Sequence, residues 1–284
     1  MTTPFKQSYE IGDLDQMKEL IENGADIHAD CHEAICMSAD RGHLEVVKFL
    51  IENNANIHAR KGYALRHAAR NGHLEVVKLL FENKAHLHGE NDYAFRWAVK
   101  ERHLKVVKYL IANGANIHAR DDEALRASAK VGHLSMVTYL IDNGANIHAA
   151  DDEPVRIAAQ YGHLCMVIYL IKHGANIHSK EEGAVCGATK YGRIEIVKYL
   201  IKHGSDKWRL HVDNEWALCN SAKMGDLKMV KYLVENGACI DTNYNHTLHL
   251  ATRYGHTKIA EYLIENGAFS APMSLELYNF YWVS

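Results

Sequence analysis

Hydrophobic positions in this chain recur at helical spacing in short bursts. In HLEVVKFLIEN, residues 43 to 53, Leu44, Val47, Leu50 and Ile51 fall on one face and Glu45, Lys48 and Glu52 on the other. This predicts an amphipathic helix that ends at the Asn/Gly-type breaker which follows it. A second kind of segment, EALRASAKVG from 123 to 132, predicts a shorter helix. Ala124, Leu125 and Ala129 make its small, apolar packing face, and Gly132 is its stop. Helices of about ten residues are marginal alone in water, so each must bury its face on neighbours, which predicts stacked helix pairs.

The bursts are periodic. GANIHA stands at 114 to 119 and again at 144 to 149, and related hexamers begin at Gly24, Asn54, Lys84, Gly174, Gly204, Gly237 and Gly267. Steps of 30 residues dominate, with one of 33 between Gly204 and Gly237. Twelve residues before each hexamer lies a second marker: Gly12, Gly42, Gly72, Arg102, Gly132, Gly162, Gly192, Gly225 and Gly255. Nine units therefore cover nearly the whole chain, and repetition is its main property.

At these residues the sequence resembles the ankyrin-repeat family. Thr3-Pro4-Phe5-Lys6 and Thr247-Leu248-His249-Leu250-Ala251 are variants of that family's TPLH phrase, Pro154 keeps its proline, and the GH and GANIHA elements match the remainder. The resemblance implies an all-α solenoid of helix-turn-helix units: one domain over 1–269, with 270–284 as a C-terminal aromatic capping tail. The NIHA and ALR phrases are also similar to the ankyrin proteins of giant, amoeba-infecting, mimivirus-like viruses. The family's unit has 33 residues, so most interhelix β-turn fingers are expected to be clipped, as in NIHARDDEALR. Only the finger in Gly204 to Cys219 is of full length.

Composition narrows the function classes. Thirty-two Lys and Arg against 35 Asp and Glu give a net charge of −3, so no global basic field favours nucleic acid. No stretch approaches the ~20 apolar residues of a membrane span and the N-terminus has no apolar signal region, so an intracellular, cytoplasmic protein is expected, in the host cytoplasm if it is viral. The six cysteines form no CxxC pair and suit buried thiols in a reducing compartment. No nucleophile, base and orienter stand together, and no phosphate loop or metal spacing occurs. The expectation is a non-enzymatic monomer without cofactor or metal.

The hexamer histidines His28, His58, His88, His118, His148 and His178 invite a metal reading. Stacked helical units place equivalent residues roughly 8–10 Å apart, whereas zinc requires ligands at about 2.0–2.1 Å. Their expected role is therefore to hold the turn through a ring nitrogen. His43, His73, His103, His133, His163 and His256 are expected to cap or pack the start of the second helix. Arg66, Arg96, Arg126 and Arg156 stand where the family has the TPLH histidine and face acidic turns. Inter-repeat ion pairs and hydrogen bonds are the first reading there, and anion binding the second.

In the family, the last two residues of each first helix face the concave binding surface. Here they include Asp40-Arg41, Arg70-Asn71, Lys100-Glu101 and Lys130-Val131 in the N-terminal half. In the C-terminal half they are Gln160-Tyr161, Lys190-Tyr191, Lys223-Met224 and Arg253-Tyr254. Tyr161, Tyr191, Met224 and Tyr254 beside Lys190, Lys223 and Arg253 carry the aromatic, Met and Arg enrichment of interface cores; ordinary surface tyrosines at helix ends are the competing reading. The full-length finger is expected to raise Trp208, Arg209 and His211 above its neighbours, with Trp216 at its return, or else to fold Trp208 into a local gap. Ser135, Thr138, Cys165 and Ile168 interrupt the charged pattern of the second helices. The tail residues Leu275, Leu277, Tyr278, Phe280, Tyr281 and Trp282 fit either a cap or a docking peptide. The function expected is a scaffold that binds a protein partner, a host protein if the viral resemblance holds. The alternative is a substrate-recruiting adaptor of a ubiquitin ligase or other multienzyme assembly.

Overall fold

The computed structural model describes residues 3–179, 183–203, 209–240 and 246–268, with the side chains of 29–31 and 209–215 outside that description. The chain divides into two compact units, Met1–Ala149 and Ala150–Ser284. The aromatic tail lies outside the described residues, so neither of its two readings is tested.

In the first unit, helices alternate as α1 (Pro4–Ile11), α2 (Leu14–Glu22), α3 (Ala29–Arg41), α4 (Leu44–Glu52), α5 (Ala59–Arg70), α6 (Leu74–Glu82), α7 (Gly89–Lys100), α8 (Leu104–Ala112), α9 (Ala119–Val131) and α10 (Leu134–Asp142). The second unit holds α11 (Ala149–Tyr161), α12 (Leu164–Lys172), α13 (Ala184–Lys190), α14 (Ile194–His203), α15 (Arg209–Met224), α16 (Leu227–Glu235), α17 (His246–Arg253) and α18 (Thr257–Glu265). Within each unit first helices pack on first helices and second on second, for example α3 on α5 and α5 on α7, or α13 on α15 and α15 on α17. Among the described residues there is no strand, and the architecture is an all-α repeat stack.

Local chemistry explains the ends. Thr3 caps α1 by accepting the Lys6 N–H at 3.2 Å, with Pro4 in the first turn where its missing N–H costs nothing. Most second helices close on an Asn whose side chain returns to the helix, as Asn113 Nδ2 does to Tyr109 O at 2.7 Å, and α12 closes on His173 instead. The next residue then turns left-handed while the N–H groups of Gly114 and Ala115 cover the Ile111 and Leu110 carbonyls. In α4 the buried residues are Val46, Val47 and Leu50. Leu44 and Ile51, assigned to the core by period alone, are half-buried. Its own first helix and the neighbouring second helices flank α4 on several sides, which widens the buried arc and recentres it.

The clipped fingers take a form that the sequence did not predict. Asn56, Asn116, Asn146 and Asn176 each accept the N–H two residues on, at 2.9–3.0 Å, in an Asx turn. Three consecutive left-handed residues follow in several repeats: Arg60-Lys61-Gly62, Glu90-Asn91-Asp92, Arg120-Asp121-Asp122 and Ala150-Asp151-Asp152, with φ between 49° and 71°. Left-handed residues other than glycine cost roughly 1–2 kcal/mol each, least for Asn and Asp, so these turns need partners to hold them.

Candidate functional site

The turn is held from two sides. Arg96 donates from Nε to Asn91 O at 2.8 Å and from Nη2 to Glu90 O at 3.1 Å, so one guanidinium fork clamps two carbonyls of the left-handed run. Arg126 does the same to Asp121 and Arg120 at 3.0 Å each, and Arg156 to Asp151 and Ala150 at 3.3 and 3.2 Å. Arg66 reaches Arg60 O at 3.1 Å. The turn carbonyls of the same repeat are thus partners of all four arginines, in addition to the inter-repeat contacts expected of them. Arg96 adds an inter-repeat pair to Glu123 at 2.6 Å.

From the other side, the third left-handed residue supplies a buried carboxylate. Asp92, Asp122 and Asp152 accept the N–H of Asn116, Asn146 and Asn176 in the following repeat at 3.0, 2.9 and 2.7 Å. His88 Nδ1 stands 3.0 Å from Asp92 Oδ1, and His118 Nδ1 stands 3.1 Å from Asp122 Oδ2. A carboxylate only accepts, so the proton lies on Nδ1 of each ring. These hexamer histidines hold the turn, and among the described residues no group of three or more His, Cys, Asp or Glu is placed to bind a metal ion.

The other histidine series does not cap. His43, His73 and His256 make no side-chain bond to their helix starts. Instead Nε2 lies 3.0–3.1 Å from Glu10 O, Asp40 O and Lys223 O, at the end of the preceding repeat's first helix. At Gly42 the ring contact favours glycine as well as the positive φ does, since a Cβ there would lie 2.4 Å from the His73 ring. Arg102 occupies that position in its repeat at φ 67°, and the Nδ1 of His133 opposite is buried without a partner. Burial and the Arg102 charge both hold the His133 pKa below the ordinary imidazole range. Arg193 replaces the histidine in α14's repeat and keeps its role, donating to Gln160 O at 3.3 Å. Cys36 and Cys186 are buried, with burial pushing the Cys36 thiol up to about 11, but Cys165 and Cys239 are exposed, which corrects the expectation that all the thiols are buried.

With the frame accounted for, what remains exposed is informative. In the second unit the residue before each second-marker glycine lies outside the interhelix core. Tyr161 is 42%, Tyr191 48%, Met224 63% and Tyr254 48% exposed, and Trp216 in α15 is 36% exposed. Lys190, Lys223 and Arg253 stand exposed beside them, with the Lys223 ammonium 5.5 Å from the centre of the Tyr254 ring. The same position in the first unit holds mostly polar residues, Arg41, Asn71 and Glu101, with Ile11 and Val131 as its exposed apolar members. The packing of α13 on α15 and of α15 on α17 sets Tyr191, Met224 and Tyr254 at the ends of adjacent first helices.

Two members of the expected site stand apart. Trp208 lies outside the described residues, and for Arg209 only the backbone is described. From Arg209 onward the segment is helix, α15 being 16 residues long, so the extra residues lengthen a first helix where a finger had been expected. Trp216 therefore sits inside that helix. A face that sequence reasoning missed lies in the first unit, where Tyr63, His67, Tyr93 and Trp97 form a continuous run of ring contacts. Its signal was present at i, i+4 in two successive repeats.

The family model for ankyrin repeats in three copies matches overlapping windows at 7–91, 67–151, 95–181, 125–210 and 185–271. The chain belongs to the ankyrin-repeat family. No curated protein matches it in a sequence search. No helix among the described residues is long and apolar enough to cross a membrane.

Proposed function

We propose that this ankyrin-repeat chain is a non-enzymatic scaffold whose C-terminal unit binds a partner protein across the ends of its first helices. Tyr191, Met224 and Tyr254 form the centre, with Tyr161, Trp216, Lys190, Lys223 and Arg253 around them, and Trp208 and Arg209 are included in the face from the sequence reading alone. The observation that carries this reading is the series of exposed Tyr, Tyr, Met and Tyr at one repeat position. Water-exposed aromatic and Met side chains flanked by cations supply the rigid apolar area and charge-assisted contacts on which interface cores rest. Family membership supports a protein partner. A host protein as that partner is the further step implied by the viral resemblance, and it rests on the NIHA and ALR phrases alone.

The test is site-specific photo-crosslinking in native-cell extract. A photoreactive phenylalanine at position 191 should capture one protein reproducibly, and the same group at Lys172, exposed on a second helix of the same unit, should not. Equal capture at both positions would contradict the proposed face. Ubiquitin-ligase components among the captured proteins would replace the scaffold reading with the adaptor one.

A further inference from the structure

The first unit carries a second face of different chemistry. Tyr63 stacks on His67 with ring centres 3.7 Å apart, His67 neighbours Tyr93 at 6.3 Å, and Tyr93 stacks on Trp97 at 5.5 Å. Cations cover this run: the Arg66 guanidinium is 4.9 Å from the Tyr93 ring centre, Arg70 is 4.6 Å and the Lys100 ammonium 4.1 Å from that of Trp97. The rings are half-buried and Lys100 is exposed. In the neighbouring repeats the positions of Tyr93 and Trp97 are held by Glu33 and Met37 or by Glu123 and Ala127, so the run belongs to α5 and α7 alone.

The charge on this face is unbalanced. Asp40, on α3, is engaged by His67 Nδ1 at 3.0 Å and by Asn71 Nδ2 at 3.0 Å. Arg70 and Lys100 have no carboxylate partner among the described residues. A cation over a ring face keeps its N–H donors for other acceptors, five on a guanidinium and three on an ammonium. We infer that the Arg70–Trp97–Lys100 face of α5 and α7 is a docking site for an acidic, extended peptide segment of a partner protein. Its carboxylates meet Arg70 and Lys100, and its backbone lies along Tyr93 and Trp97. A single-stranded nucleic acid fits less well, because base stacking needs an open ring face and here Trp97 and Tyr93 already carry the protein's own cations. The inference is independent of the proposed C-terminal face.

The test uses the full chain and a fluorescein-labelled alternating Glu-Gly peptide, with a Gln-Gly peptide as the uncharged control, in anisotropy titrations at low salt. The Glu peptide should bind at least about tenfold more tightly than the Gln peptide. The Arg70→Gln/Lys100→Gln variant should lose about tenfold in affinity, and Lys172→Gln/Lys228→Gln, at exposed positions on second helices, should bind as wild type. The Trp97 indole N–H resonance, assigned with Trp97→Phe, should shift on addition of the Glu peptide. Should the double variant melt early, Lys100→Gln alone, at an exposed position, carries the test with a several-fold loss. Equal binding of the two peptides, unchanged affinity in the Arg70 and Lys100 variants, or an equal loss in the Lys172/Lys228 variant would overturn the proposal. Tighter, Arg70- and Lys100-dependent binding of a thymidine oligonucleotide would replace the peptide by nucleic acid.

Discussion

His118 and Asp122 are joined across one left-handed turn, Nδ1 to Oδ2 at 3.1 Å, while Asp122 Oδ1 takes the Asn146 N–H of the next repeat at 2.9 Å. The carboxylate is buried and the side chain of the histidine 57% exposed, so the two partners carry unequal weight. Asp122→Ala removes the charged acceptor of the Asn146 N–H and of the His118 ring and is expected to cost about 1–3 kcal/mol. Asp122→Asn keeps an acceptor and costs less, and His118→Ala costs under about 1 kcal/mol. Urea unfolding of the three variants checks the order; a His118→Ala loss as large as that of Asp122→Ala would put the weight on the wrong partner.

Arg96 is the most buried of the arginine clamps and makes three hydrogen bonds, two of them to turn carbonyls. Arg96→Ala should lower stability by about 1–3 kcal/mol and by more than Arg66→Ala. Arg96→Lys should recover only part, because one ammonium cannot reproduce the planar fork. Equal denaturant midpoints for Arg96→Ala and wild type would show that the left-handed turns hold without the clamp.

Lys84 sits at φ 68° where most repeats have glycine. Lys84→Gly removes a Cβ clash and gives back some unfolded-chain entropy, for a net gain of about 0.5–1 kcal/mol. A rise in melting temperature is expected, and a fall would mean that the lysine side chain makes a stabilising contact larger than the strain.

Acid should weaken the fold before any carboxylate titrates. The folded-state pKa values of His58, His67, His133 and His246 are all lowered, first by burial. Below the unfolded imidazole value of about 6.5 the unfolded chain takes up protons more readily than the folded one. The stability from these neutral rings is complete above that pH and is lost as the pH falls through their folded values. His133→Gln should flatten the slope of stability against pH between neutrality and the carboxylate range. A slope identical to wild type would remove His133 from the cause.

The helices, their order and the repeat were legible because apolar spacing and glycine stops act locally and recur in nine units. The exposed Tyr161, Tyr191, Met224 and Tyr254 were legible too, as the family's register gives each position its place. The left-handed turns were not, because ARDDE and GENDY contain residues equally at home in several turn types. Only the Arg clamp and the bond from the next repeat select among those turns. Val46 entered the core for a related reason: a period measured on one helix does not count the neighbours packed against it. The α5–α7 aromatic run was not legible because the contact of His67 with Tyr93 is made between repeats, and the i, i+4 pairs Tyr63/His67 and Tyr93/Trp97 show only local neighbours.

The central claim, a protein-binding face on the first-helix ends of the C-terminal unit, is tested most directly by affinities for the partner captured through position 191. Calorimetric titration of Tyr191→Ala, Met224→Ala and Trp208→Ala, each checked for native helicity, is compared with Lys172→Ala and Lys228→Ala, exposed elsewhere in that unit. The first group is expected to lose at least about 2 kcal/mol of binding free energy and the second under about 0.5 kcal/mol. The reverse ranking would contradict the account and move recognition off this face.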